Sequence, residues 1–163
     1  MAKNHSLTAG TTYLTNYGKA GVTLVMYEKG KSFIGAAVLV NQKNGHKAVV
    51  LHLLCQGIEI VLKAVLLKVD FTEYKPQLQP LGHNLTKIAA EVRKATNLHV
   101  FIGEAGLELK TLDQFYRKHL LRYASTFDIL IDPITIPSNK VLRHAAAIIQ
   151  LCERKHIFQL NNT

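Results

Sequence analysis

The stretch AVVLHLLCQGIEIVLKAVLL, residues 48–67, constrains everything around it. It is long and apolar enough to span a membrane, yet it carries four polar residues, His52, Gln56, Glu59 and Lys63. Their spacing of 4, 3 and 4 lines them up along one side of a helix. Leu51, Leu54, Cys55, Ile58, Val61, Leu62, Val65 and Leu66 fall on another face at spacings of three and four. A span facing lipid would hardly carry a glutamate and a lysine near its middle. The expectation is therefore a buried core helix with one polar stripe, in a soluble cytoplasmic protein without a membrane partner.

Such a helix must be surrounded by others, and the rest of the chain supplies them. Residues 1–10 read as a loose terminus, followed by an apolar, broadly helical pattern from Thr11 to Val40. Gly18, Gly21, Gly30 and Gly35 weaken that pattern, which leaves one long helix with a flaw near EKGK or two shorter ones. NQKNGHK (41–47) is a turn, with Asn44 and Gly45 suited to left-handed positions. The core helix is then expected over 47–68. Two prolines and a glycine make 70–82 a loop.

Helices are expected over 84–95, with Leu85, Ile88, Ala89 and Val92 inward, and over 107–123. In the second of these, Leu109, Leu112, Tyr116, Leu120 and Tyr123 share a face, and residues 96–106 form a partly buried linker before it. The proline-broken stretch 125–138 reads as an extended strap or a short hairpin. Ser138 is placed to cap a last helix running to Phe158, with Val141, Leu142, Ala145, Ile148, Ile149 and Cys152 as its apolar stripe. The whole reads as one all-α domain over residues 1–163: an antiparallel up-and-down helix bundle with an irregular strap before the last helix.

Charge narrows the partners. Twenty Lys and Arg against eleven Asp and Glu give a net +9, which favours phosphate-rich partners; solubility alone is the other reading. Cys55 and Cys152 lie in separate apolar helical patterns, as buried free thiols of a reducing compartment would. No C-x-x-C or H-x-x-x-H pair offers a metal site, and no glycine-rich phosphate loop is present. Neither metal nor cofactor is expected.

Three blocks, CQGIEIVLKAVLL (55–67), LGHNLTKI (81–88) and YRKHLLRY (116–123), occur in that order. Together they make the chain resemble the HEPN superfamily of helix-bundle proteins over roughly residues 47–155. The matching residues are Glu59, Leu62, Lys63 and Ala64; Gly82, His83, Asn84 and Leu85; and Leu121, Arg122 and Tyr123. Ala124 stands where a subgroup of the family commonly has proline. The resemblance implies a HEPN-like bundle, often a homodimer, in which Gly82, His83, Asn84 and Tyr123 belong to the structural frame. It also implies an association with RNA or with protein partners in prokaryotic defence or stress, including toxin–antitoxin pairs with a nucleotidyltransferase-like antitoxin.

Nuclease members of that family use Arg-x(4–6)-His on a late helix. Here Arg117 precedes His119 too closely, Arg122 has no histidine downstream within reach, and the literal match, Arg93 to His99, lies in another place. The expectation is a module lacking the standard ribonuclease motif. Arg117, His119 and Arg122, read as lying on one basic helix, nonetheless supply the residue types for metal-independent RNA cleavage. The alternative is that the arginines are solvated and His119 packs between tyrosines. The stripe His52, Gln56, Glu59, Lys63 reads as the lining of a cleft or interface, or as an internal seam that fixes helix register. His83 reads, beside Asn84, as a helix-capping residue, because no partner for it is visible nearby in sequence. A structural oligomerising protein without activity is the third reading.

Overall fold

The computed structural model describes residues 14–123 and 130–158, and within them the chain is an all-α helix bundle with no strand. The seven helices are α1 (Asn16–Gln42), α2 (Lys47–Val69), α3 (Phe71–Tyr74), α4 (Leu78–Leu81), α5 (Leu85–Thr96), α6 (Gly103–Arg117) and α7 (Asn139–Arg154). A 3-10 turn, Pro133–Thr135, precedes α7. The loose terminus 1–10 and residues 125–129 of the expected strap lie outside the described residues.

α1 is one uninterrupted helix of 27 residues. The Gly30 that looked like a flaw is the reason: α1 and α2 cross at Gly30 and Gly57. A Cβ on Gly57 would lie 2.9 Å from both the Gly30 carbonyl oxygen and the Ile34 nitrogen, and one on Gly30 would lie 2.8 Å from the Val61 nitrogen. Tertiary packing of two backbones at this distance outweighs the roughly 1 kcal/mol a helical glycine loses to alanine. The tight turn between them, with Asn44 left-handed at φ 54° and the Gly45 amide bonded to the Val40 carbonyl, makes them antiparallel neighbours. We expect Gly57→Val to lower stability by about 1–3 kcal/mol by overpacking. Gly21→Ala, with nothing within 4 Å of the added carbon, should raise it by roughly 0.5–1 kcal/mol. Urea unfolding midpoints of the two variants check both signs.

α2 is the axis of the bundle and touches α1, α5 and α6, while α7 packs on α6 and α1. Leu51, Leu54, Cys55, Ile58, Val61, Leu62 and Leu66 are buried, where the period of three and four put them. Among the described residues α2 is the one helix long and apolar enough to cross a membrane, and 72% of that window is buried inside the protein. Both cysteines are free and buried; burial pushes the Cys55 thiol far up and the Cys152 thiol up to about 11.

Several boundaries differ from expectation. The loop 70–82 contains two single helical turns, the first of them capped by the Asp70 carboxylate, which accepts from the Thr72 and Glu73 amides at 2.9 Å. Pro80 sits in the first turn of α4, where its missing N–H has no partner to lose. α6 begins at Gly103 and not at 107, since Gly103 adopts φ 55° at the entry. Ser138 holds the cap position of α7 but does not cap it. The Glu108 carboxylate does so from α6, accepting from the Lys140 and Val141 amides at 2.8 and 3.0 Å; charge at a helix N-terminus is favourable.

Candidate functional site

The expected helix 107–123 ends early, and this reshapes the site. α6 stops at Arg117; His119 turns left-handed at φ 58°, and the Leu120 amide bonds back to the Phe115 carbonyl. This is a helix-terminating turn of the Schellman type, with histidine in the place glycine usually takes. Arg117, His119 and Arg122 therefore do not share a helix face. The Arg117 guanidinium pairs with Asp113, 3.3 Å away, while His119 and Arg122 are carried past the helix end towards α2. Tyr123, expected on the buried face with Tyr116, is 71% exposed.

The polar stripe of α2 meets these groups. Glu59 is buried, and three donors surround its carboxylate. Lys63 Nζ donates to Oε1 at 2.7 Å; His83 Nδ1 and the Tyr116 hydroxyl reach Oε2 at 2.8 and 2.7 Å. Burial alone would push the Glu59 carboxyl up, but hydrogen bonds from Lys63, His83 and Tyr116 outweigh it and hold it below the usual carboxylate value. Burial, aided by the charge of Glu59, in turn raises Tyr116 far above an ordinary phenol. Gln56 Oε1 lies 2.9 Å from the Tyr116 hydroxyl and 3.5 Å from Arg122 Nη2.

His83 is held from two sides. Gly82 adopts φ 55° and turns its carbonyl onto Lys63 Nζ at 2.7 Å, so the turn carrying His83 is fastened to α2. An ionised carboxylate only accepts, so Nδ1 of His83 carries the proton facing Glu59 and Nε2 is the outward nitrogen. The His83 side chain is 44% exposed. Its ring lies edge-on to those of Tyr116 and His119, with centroids 5.7 and 5.8 Å away. α5 is capped by Asn84, whose Oδ1 accepts from the Lys87 amide at 2.9 Å, and by Asp113 from α6, which takes the Leu85 amide at 2.7 Å. Capping by His83 is thereby corrected: the partner invisible in the neighbouring sequence is Glu59, 24 positions earlier.

His52, at the end of the stripe, stands 5.8 Å from the Tyr116 ring, and among the described residues its buried Nδ1 has no hydrogen-bond partner. Burial lowers its pKa, and the charges of Arg122 and His119 lower it further. A base with a depressed folded-state pKa contributes stability that is present above the usual imidazole value of 6.5 and lost as pH falls through the depressed one. The melting temperature should therefore fall between pH 7 and 5, and His52→Phe should flatten that fall. An unchanged slope in the variant would show that His52 is not desolvated.

The exposed Arg93 and His99 lie at the end of α5 and in the segment after it. Among the described residues no hydrogen bond or ion pair joins them to the Glu59 network. Also among the described residues, no group of three or more His, Cys, Asp and Glu is placed to hold a metal ion. The result is a buried carboxylate under a rim of exposed side chains: His83, His119 and Arg122. Comparison with protein-family models, with curated proteins and with solved structures finds no match to this chain.

Proposed function

We propose that the chain is a HEPN-type helical protein, a cytoplasmic homodimer, that binds RNA through the rim formed by His83, His119 and Arg122. The observation that supports this most is convergence: three blocks spread over residues 55–123 contribute to one cluster around Glu59. At that cluster the carboxylate is buried and the groups at the surface are cationic or able to become so, which is the polarity a phosphate backbone requires. The net +9 charge of the chain adds long-range attraction of the same sign. In this reading the protein acts in prokaryotic defence or stress, and a nucleotidyltransferase-like antitoxin is a candidate partner.

A salt titration of binding to single-stranded RNA tests it. Each phosphate contact contributes about −0.7 to the log–log slope, Arg122 supplies at least one, and Arg122→Glu should make the slope shallower by about that amount. A slope near zero would sink the proposal, because the surplus charge would then serve solubility in an oligomerising protein.

One observation favours a second reading, metal-independent endoribonuclease activity. His83 and His119 present two imidazoles side by side, one of them oriented by a buried carboxylate as a general base is in many hydrolytic sites. His83 Nε2 would take the proton of the 2′-hydroxyl as its oxygen attacks phosphorus. His119 would give a proton to the departing 5′-oxygen, and Arg122 would balance the charge on the phosphorane. Incubation with RNA in EDTA, at high protein excess, separates binding from cleavage.

A further inference from the structure

α2, α5, α7 and residues 97–100 line a second space, a half-open cavity of about 380 Å³, and none of its lining residues belongs to the Glu59 cluster. Its walls include Val65, Val92, Val100, Ile148 and Ile157. At its mouth Val69, Leu98 and Leu151 are 49%, 43% and 38% exposed. A space of this size, apolar with a few polar groups, is in the range of small-molecule sites.

The polar groups decide what kind of molecule fits. Lys68, Thr96, His99, His144 and the thiol of Cys152 line the cavity, and among the described residues no aspartate or glutamate does. Two of these groups are already engaged. The Thr96 hydroxyl donates to the Val92 carbonyl at 2.7 Å and accepts from the Leu98 amide at 3.1 Å; His144 Nδ1 donates to the Val100 carbonyl at 3.0 Å. Lys68 and His99 have no hydrogen bond or ion pair among the described residues. The cavity beside Tyr27 and Phe158 offers the contrast, since Glu28 and Glu153 line it.

We propose that the cavity beside Lys68 binds a small amphipathic monocarboxylate, with its apolar chain against Val92, Ile148 and Ile157 and its carboxylate at Lys68 and His99. Apolar walls reward burial of a hydrocarbon chain, and a carboxylate partly withdrawn from water needs donors such as the Lys68 ammonium and an imidazole N–H of His99.

Calorimetric titration with decanoate, decylammonium and decanol, each below its micellar concentration, tests the assignment. Decanoate should bind saturably, one molecule per chain, and at least about tenfold more tightly than decylammonium, since like charges brought together are penalised. Lys68→Glu, a change at an exposed position, should reverse that order. Ala147→Trp, which places an indole in the cavity from an exposed lining position, should weaken decanoate by about tenfold or more at unchanged melting temperature. Absence of saturable decanoate binding, equal binding of the two charged probes, or an order unchanged by Lys68→Glu would each overturn the proposal. Binding of a peptide helix with no decanoate binding would assign the groove to a protein partner instead, and would overturn it too.

Discussion

Glu59→Ala should lower stability by about 3–5 kcal/mol, the range found when one partner of a buried ion pair is removed. The size follows from what is left behind. Lys63 is only 8% exposed, so its ammonium would keep the Gly82 carbonyl and lose its counter-charge. The Tyr116 hydroxyl, also buried, would lose its strongest acceptor. The paired substitution Glu59→Leu with Lys63→Met removes both charges together and should recover most of the loss, since apolar replacements of buried pairs are often neutral or stabilising. The pH dependence has a defined sign. Glu59 sits below its ordinary 4.5 in the folded state, so its contribution is complete above that value and disappears as pH falls through the depressed one. Glu59→Gln should accordingly be less sensitive to acid below pH 4.5 than the parent chain. Urea unfolding of the three variants across pH reads all of this, and a loss under about 1 kcal/mol for Glu59→Ala, the scale of an exposed pair, would mean that Lys63 is solvated.

The second large effect belongs to the cleavage reading. His83→Ala and His119→Asn should each slow EDTA-resistant RNA cleavage by about 10²–10⁴-fold, the usual contribution of one positioned acid or base. Asparagine is the better replacement at 119 because it tolerates the left-handed backbone there while removing the imidazole. His119→Asn should leave the melting temperature nearly unchanged, since that imidazole is exposed at the rim. His83→Ala also removes a hydrogen bond to the buried Glu59 and should lower it, so cleavage is compared at a temperature where both variants are folded. If cleavage by the parent chain persists undiminished in both variants, His83 and His119 have no part in it, whereas RNA binding measured by the salt slope stands or falls separately.

How much of this was legible in the sequence depended on distance along the chain. The buried face of α2 and its polar stripe follow from a period of 3.6 residues, and every member of the stripe sits where that period placed it. Local chemistry narrowed the cap of α5 to Asn84 or His83, and Asn84 takes it. The Glu59–His83 bond was not legible, because the 70–82 segment between them sets the meeting and its two single turns depend on Asp70 and on packing. The end of α6 was concealed for a different reason. Tyr116, Leu120 and Tyr123 continue the helical spacing, and a left-handed histidine gives no warning of a stop in the way that glycine does. Glu108 replaced Ser138 as the cap of α7 through a contact spanning 32 positions. In α1 Gly30 misled because an internal weakness in isolation becomes a contact surface once Gly57 lies against it.

The bond from Lys63 to the Gly82 carbonyl also bears on how quickly and how selectively a ligand can be accepted. The turn presenting His83 cannot swing away without uncovering a buried ammonium, so the imidazole is ordered before anything arrives. Immobilising a side chain on binding typically costs about 0.5–1.5 kcal/mol, and here that ordering is completed during folding. On the proposed RNA-binding reading, this rim works as a rigid template: an anion whose spacing matches His83, His119 and Arg122 would be held without rearrangement of that turn, and one whose spacing differs would find no alternative arrangement of it.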